Sequence, residues 1–175
     1  MPRKRDPLRK SIEVLYSVRL IKDRISMLQS RVEERTKELT KRLVDLQTRG
    51  ENYLAKKYAE EISKLRQLSN RLSTLLLVVD KVDLALQRAI VLREYTVISS
   101  ELRDLLKDIS KLPEFKLPDL SLLFAELEES VRELWDMSVV GGGEVLSYNP
   151  PSDSEVKAIM EEAKAILREK LEPAH

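Results

Sequence analysis

The sequence predicts an all-α protein, in which a long antiparallel helical hairpin is followed by shorter helices and by a linker-tethered C-terminal amphipathic helix. Apolar residues recur every seven positions in two long stretches of the chain, the pattern of amphipathic helices that pack along a narrow seam. A single glycine, Gly50, separates the two stretches, and no proline occurs between Pro7 and Pro113. Together these observations favour two long helices that fold back on each other.

The two long helices are defined by their heptads. The seam positions are Val14, Val18, Ile21, Ile25, Leu28, Val32, Leu39 and Leu46 in the first, and Tyr58, Leu65, Leu68, Leu72, Leu75, Val79, Val82, Leu86 and Ala89 in the second. The second helix could run through to about Lys111, because no glycine or proline interrupts it. Few residues connect the helices, so Gly50 is the predicted hinge of an antiparallel hairpin roughly 60 Å long.

A hairpin of two helices buries only one side of each helix, so further segments must cover the apolar residues that lie outside the seam. Apolar residues outside the seam that need a cover include Leu20, Leu43, Leu54, Leu76, Leu77, Ile90 and Leu92. The covering stripes are Val97, Ile98, Leu102, Leu105, Leu106 and Ile109 in a third helix, and Leu120, Leu123, Phe124, Leu127, Val131, Leu134 and Trp135 in a fourth. Pro113 and Pro118 break the chain between these helices, and Asp119 is the predicted cap of the fourth.

The last helix is predicted from a start signal and an apolar face. Ser152 and Glu155 have the spacing of a capping box, and the helix that they open is expected to end at about Leu171. Gly141 to Gly143 precede it and indicate a flexible linker. The predicted organisation is a basic hairpin core with a third helix (1–111), a proline-broken segment with an acidic helix (112–137), a Gly/Pro linker (138–151) and the C-terminal amphipathic helix (152–175).

The composition argues against most enzyme chemistry. The chain has no cysteine and one histidine, His175, so it lacks thiol nucleophiles, Cys/His zinc sites and histidine acid–base catalysis. Its four glycines form no phosphate-binding loop. Asp80 and Asp83 lie three apart, as in di-iron bundles, but no Glu-x-x-His pair accompanies them, so we interpret them as solvated or ion-paired residues beside the seam. We expect a protein that is not an enzyme and has no cofactor or metal.

Charge is segregated along the chain although the net charge is only +1. Residues 1–49 carry +7, residues 50–111 carry +2 and residues 112–175 carry −8. The first ten residues include one acid and the five bases Arg3, Lys4, Arg5, Arg9 and Lys10. At about 1 kcal/mol for each basic residue near an anionic bilayer, the arm's net of four positive charges gives roughly 4 kcal/mol, or close to a thousandfold in partitioning. The alternatives are a solubilising tail and a nucleic-acid contact, and the latter lacks aromatic residues for base stacking.

These features together resemble archaeal ESCRT-III proteins of the CdvB type. The resemblance covers essentially the whole chain and is strongest over residues 8–95, where the run from Val79 to Ala89 is similar to the second-helix signature of that family. It implies a subunit that polymerises, with itself or with paralogues, on anionic membrane at the division site or at budding vesicles. A AAA-type ATPase would then disassemble the polymer.

The resemblance also implies candidate residues and a location. The lipid-facing surface of the family would correspond to Arg3, Lys4, Arg5, Arg9, Lys10, Arg19, Lys22 and Arg24. The ATPase binds family members through a microtubule-interacting-and-transport (MIT) domain, for which the apolar anchors here would be Ile159, Ala163, Ile166, Leu167 and Leu171, with Arg168 as a polar partner. No nucleic acid is expected as a partner.

The longest aliphatic run, Leu75 to Val79, is far too short to span a bilayer, so we expect a cytoplasmic protein, peripheral on the inner face of the cell membrane.

The charge gradient leads to a hypothesis about regulation. The −8 segment nearly balances the +7 first helix, so residues 112–171 are expected to fold back over the hairpin in a closed monomer, and lipid would replace them in an open one. The alternative from a different class is a coiled-coil scaffold or adaptor that dimerises through the heptads and offers its last helix to a partner. Heptads alone do not separate these classes, whereas Gly50 and the charge gradient favour the hairpin.

Overall fold

The computed structural model describes residues 6–140 and 153–172, and the regular elements in these ranges are all helical. They are α1 (Pro7–Thr48), α2 (Asn52–Leu92), α3 (Tyr95–Ser110), a 3-10 turn (Pro113–Lys116), α4 (Pro118–Val140) and α5 (Glu155–Lys170). The all-α prediction is confirmed. α4 extends three residues into the predicted linker, 138–151, whose other residues lie outside the described ranges. No described helix is both long and apolar enough to cross a membrane.

A tight turn at Gly50 joins the two long helices, at the point where the hinge was predicted. Gly50 has a φ of 75°, a conformation in which a residue with a side chain would be strained. The Glu51 amide donates to the Leu46 carbonyl at 3.0 Å, and the Gly50 amide donates to the Gln47 carbonyl at 3.1 Å. These two hydrogen bonds form a Schellman motif that ends α1, after which α2 packs antiparallel along it.

The chain breaks between α2 and α3, so the second helix ends well before Lys111 and the predicted third helix is a separate element. Arg93 ends α2 in the left-handed conformation, with a φ of 57°, and the Glu94 amide donates to the Ala89 carbonyl at 2.9 Å. For a residue other than glycine this conformation costs roughly 1–2 kcal/mol. Burial offsets that cost, because the break lets the apolar stripe of α3 turn back into the core.

The five helices close into a ring around a shared apolar core. α1 packs against α2 and α4, α2 against α5, and α3 against α4 and α5. The largest fully buried side chains of the first four helices are Ile21, Ile25, Leu72, Leu75, Leu86, Ile98, Leu102, Leu105, Leu120, Phe124 and Leu134, and α5 adds Val156, Met160 and Leu167. The third, fourth and fifth helices therefore cover one side of the hairpin.

Part of the apolar surface that was expected to be covered stays open. Leu20, Leu54, Leu77 and Leu92 are 38%, 46%, 43% and 42% exposed, which contradicts the expected cover at these positions. Leu43, Leu76 and Ile90 are half-buried. The covering helices lie against the other side of α1 and α2, so the outer face of each long helix remains accessible within the described part of the molecule.

The starts of α4 and α5 differ from their predicted positions. α4 begins at Pro118, whose fixed φ suits the first helical position, and Asp119 is therefore inside the first turn rather than the cap. α5 is capped by Ser154 instead of Ser152, which lies outside the described residues. The Ser154 hydroxyl accepts a hydrogen bond from the Lys157 amide at 3.2 Å.

Candidate functional site

The N-terminal end of α1 presents an exposed apolar surface beside Arg9. Arg9 is exposed there and makes no ion pair with any residue in the described ranges, whereas Arg3, Lys4 and Arg5 lie outside those ranges. Beside Arg9, the side chains of Leu8, Ile12 and Tyr16 are 42%, 51% and 65% exposed and line an open groove of about 670 Å³. Sequence reasoning missed these apolar residues, although their spacing of four is a signal for neighbours on one helical face.

Lys10, another predicted lipid-facing residue, is held between two helices. Its Nζ lies 2.7 Å from Glu13 of α1 and 2.5 Å from Glu133 of α4. Burial alone would lower the pKa of Lys10, but the hydrogen bonds to the two carboxylates outweigh burial and raise it. In this conformation Lys10 therefore ties α4 to α1 instead of presenting a free charge to solvent.

Two more predicted lipid-facing residues, Arg19 and Lys22, face carboxylates of α2. Arg19 Nε lies 3.3 Å from Asp83 Oδ2, and Lys22 Nζ lies 3.2 Å from the same atom and 3.0 Å from Asp80 Oδ1. The interpretation of the two aspartates as ion-paired residues beside the seam is confirmed. Arg24 is half-buried and has no ion-pair partner among residues 6–140 and 153–172.

Asp83 is the buried member of this cluster, with only 5% of its surface exposed. Burial by itself would raise the pKa of Asp83. Hydrogen bonds from Gln87 at 2.6 Å, Arg19 and Lys22 outweigh that effect and lower the pKa. The pKa of Lys22 is raised, chiefly by its hydrogen bond to Asp80 and further by its hydrogen bond to Asp83, which together outweigh the effect of burial. The cluster therefore favours the charged forms on both sides of the hairpin.

The C-terminal helix α5 turns its predicted partner-binding face toward α2 and α3. Ala163, Leu167 and Leu171 are buried, and Ile159 and Ile166 are half-buried against the same core. Arg168 is exposed, with its Nη2 3.6 Å from Asp108 of α3. All the apolar anchors thus contact the chain's own helices in this conformation.

A buried ion pair between Lys164 of α5 and Glu101 of α3 was not foreseen from the sequence. Both side chains are less than a tenth exposed, and Asp104 lies 3.8 Å from the same ammonium. On the sequence alone Lys164 is one of many charged residues on an amphipathic helix. The burial of Lys164 results from the way α3 and α5 pack together, and no local sequence pattern predicts it.

Further polar contacts hold α5 along α2. Glu162 and Glu155 of α5 pair with Lys81 at 3.0 Å and with Arg88 at 2.7 Å. The acids of α5 therefore face bases of α2, while its bases face acids of α3. The Ser154 hydroxyl also donates to Glu94 at 2.7 Å, which ties the start of α5 to the junction between α2 and α3. This alternation of charge sets the register of α5.

No cluster suited to metal binding is present in the part of the chain that the structure describes. The described surfaces offer instead a long helical hairpin, an N-terminal end with exposed apolar residues beside Arg9, and an amphipathic helix held by ion pairs. This combination defines the class of the molecule as an all-α protein with a helical hairpin and covering helices.

Comparison with known proteins finds a likeness that extends over nearly the whole of this chain. The chain is 25% identical over 175 residues to cell division protein B1 of Sulfolobus acidocaldarius, and the match covers 98% of this chain and 80% of that protein. No protein-family model matches the chain, and no solved structure matches it. The chain is therefore similar to an archaeal cell-division protein along nearly its whole length.

Proposed function

We propose that this protein is an ESCRT-III-like subunit that polymerises on anionic membranes and constricts or remodels them in cell division or vesicle budding. The observation that carries the proposal is the likeness to cell division protein B1, which extends over 98% of the chain and therefore includes the hairpin and the shorter helices. The long hairpin with a covering set of helices supports it. The proposed location is the inner face of the cell membrane at the division site.

The proposed membrane contact is the N-terminal end of the molecule. Arg3, Lys4, Arg5 and Arg9 would attract anionic headgroups, and the exposed apolar side chains of α1 beside Arg9 would enter the interfacial region. Lys10, Arg19 and Lys22 contribute less in this conformation, since each is neutralised by carboxylates of the chain. Arg24 is half-buried and is a weaker contributor for that reason.

Disassembly by a AAA-type ATPase with an MIT domain is a further part of the proposal. The element offered to that domain would be α5, through Ile159, Ala163, Ile166, Leu167, Arg168 and Leu171. These residues contact α2 and α3 in this conformation, so α5 has to leave its own helices before a partner can bind the same face. Homo- or hetero-polymers with paralogues are the proposed assemblies.

The test is sedimentation with anionic and neutral liposomes across a salt series, followed by negative-stain microscopy of the pellet. We expect salt-sensitive pelleting with anionic lipid alone, together with filaments or deformed membrane. Replacing Arg3, Lys4 and Arg5 with Glu should weaken partitioning by at least about a hundredfold, because three attractive charges are lost and three repulsive ones are added.

A matched control separates a local contact from a general effect of charge. Replacing Lys107, Lys111 and Lys116 with Glu changes the net charge equally, but these residues are exposed at the end of α3 and in the 3-10 turn. This control should bind much as the native protein does. Native protein that stays in the supernatant as a small oligomer, or an N-terminal variant that binds unchanged, would favour the scaffold or adaptor.

A further inference from the structure

The outer face of α2 carries a row of exposed apolar side chains spaced seven residues apart. Leu77, Leu84 and Val91 are 43%, 44% and 69% exposed. α1 meets α2 on one flank of this row, where Asp83 lies, and α5 meets it on the other flank, at Lys81 and Arg88. The row therefore lies on the solvent-facing side of α2, between α1 and α5, and no described residue covers it.

We propose that this row is an interface with a second copy of the chain, in which two α2 helices pack antiparallel about a twofold axis at Leu84. A heptad repeat of apolar residues keeps one side of a helix facing a partner helix over several turns. A twofold contact needs no second kind of surface, since each copy offers the same row. Leu84 then meets Leu84 of the other copy, and Leu77 meets Val91.

The charges beside the row select the antiparallel arrangement. With the axis at Leu84, Asp80 of one copy lies opposite Arg88 of the other, and Lys81 lies opposite Gln87. A parallel arrangement in register would instead place each of these residues against its own copy, so that like charges oppose each other. Opposed like charges on facing helices disfavour an arrangement, and opposed unlike charges favour it.

Existing ion pairs hold the two charged residues in place before the copies meet. Asp80 is bound by Lys22 of α1 at 3.0 Å, and Arg88 is bound by Glu155 of α5 at 2.7 Å. Across the interface these pairs would line up as an alternating series of acids and bases. Little side-chain freedom is lost on association, because each charge is already ordered.

The row is one residue wide, so the contact between two copies is weak and its strength depends on concentration. Stable dimers usually bury roughly 1,200–2,000 Å² in total, more than three side chains from each copy supply. A weak symmetric contact is nevertheless useful where many copies are held together, because each contact adds to the others. The proposal deepens the proposed function by assigning one contact between copies, and it rests on that function only in taking the copies to associate. The contact needs no lipid, so it is tested in solution, and its failure is distinguishable from a failure of liposome binding.

Cysteine cross-linking of the full chain tests the geometry, since the native sequence contains no cysteine. Leu84→Cys lies on the axis and should form disulfide-linked dimers on mild oxidation, because closely packed helices bring on-axis Cα atoms within the range that a disulfide requires. Leu77→Cys and Val91→Cys should cross-link to each other when mixed, and neither should cross-link alone. Two copies of Leu77 would be roughly 20 Å apart along the helix axes.

The control is Leu122→Cys, a 66% exposed position on α4, away from the row. We expect Leu84→Cys to cross-link at least roughly tenfold faster than this control, as for thiols held at a raised effective concentration. Equal rates at the two positions would overturn the interface. Rapid cross-linking of Leu77→Cys with itself would overturn the antiparallel arrangement.

A variant without cysteine gives an independent check. Leu84→Asp places two negative charges against each other on the axis, and the exposed position should leave the helical circular dichroism spectrum unchanged. Sedimentation equilibrium across a concentration series should show the native chain associating and the variant remaining monomeric. A native chain that stays monomeric at all concentrations, or a variant that associates equally well, would overturn the proposal.

Discussion

Asp83 of α2 forms ion pairs with Arg19 and Lys22 of α1 and so links the two long helices. Its carboxylate is buried, which would raise its pKa, but hydrogen bonds from Gln87, Arg19 and Lys22 lower the pKa instead. A carboxylate whose pKa is lower in the folded than in the unfolded state adds stability above its unfolded pKa. That contribution disappears as the pH falls through the folded pKa. The hairpin should therefore be less stable in acid.

The expected result is a fall in the thermal unfolding midpoint as the pH is lowered from about 5 to about 2, part of which depends on Asp83. Asp83→Asn removes the titrating group, so its unfolding midpoint should start lower at neutral pH and decline less in acid. The measurement is thermal unfolding followed by circular dichroism at a series of pH values. Asp23→Asn is the control, because Asp23 is an exposed aspartate on α1, the other helix of the hairpin. An Asp83→Asn curve that runs parallel to the native curve would contradict the assignment.

At the scale of whole elements, helices were predictable where apolar periodicity defines them, and their ends were less so. The heptads of the hairpin and the stripe of α3 give the correct helices, because a buried face leaves a repeating pattern in the sequence. Arg93 left no such signal, since its left-handed conformation is imposed by packing of α3 rather than by its own preference. The apolar face of α5 was visible in the sequence, whereas the partner of Lys164 depends on how α3 and α5 meet.

The docking of α5 should depend on its buried ion pair more than on its exposed ones. Lys164→Met leaves Glu101 as a buried carboxylate without its ammonium partner, which costs about 3–5 kcal/mol in comparable cases. We expect faster hydrogen exchange across α5 and a lower free energy of unfolding. Arg168→Met is the control. The Arg168 side chain is 59% exposed, so its ion pair with Asp108 contributes under about 1 kcal/mol to stability.

A double variant separates loss of the pair from loss of the lysine stem. Combining Lys164→Met with Glu101→Leu replaces both charges by apolar groups, which in buried pairs is often neutral or stabilising. The double variant should therefore recover most of the protection of α5. If Lys164→Met alone leaves exchange in α5 unchanged, the pair does not hold the helix in place.

For the whole molecule, the distribution of charge and the ring of helices point to one closed arrangement. The first 49 residues carry +7 and residues 112–175 carry −8. The acidic part includes α4, which packs against α1, and α5, which packs against α2. Lys10, Lys81 and Arg88 of the long helices are each neutralised by a carboxylate from α4 or α5. Removing these helices would uncover basic and apolar surface on the hairpin together.

Truncation tests whether α4 and α5 restrain assembly and membrane binding. We expect a chain ending at Val140, which lacks α5, to bind anionic liposomes more strongly than the full chain, and a chain ending at Leu112 to bind most strongly and form filaments. Each removal exposes cations that the missing carboxylates had neutralised, at about 1 kcal/mol of lipid attraction for each cation. The measurement is liposome sedimentation at low salt with negative-stain microscopy, after circular dichroism has shown that the helices persist.

A synthetic peptide of residues 153–172 distinguishes specific release of α5 from nonspecific exposure of apolar surface. Added to the chain ending at Val140, the peptide should reoccupy the face between α2 and α3 and suppress the gained liposome binding. The same peptide with Lys164→Ala should suppress it less, because Glu101 then lacks its buried partner. A truncated chain that stays monomeric and does not pellet with anionic liposomes, or peptides that act equally, would contradict restraint by α5. The ion pairs of α5 would then serve the stability of the bundle alone.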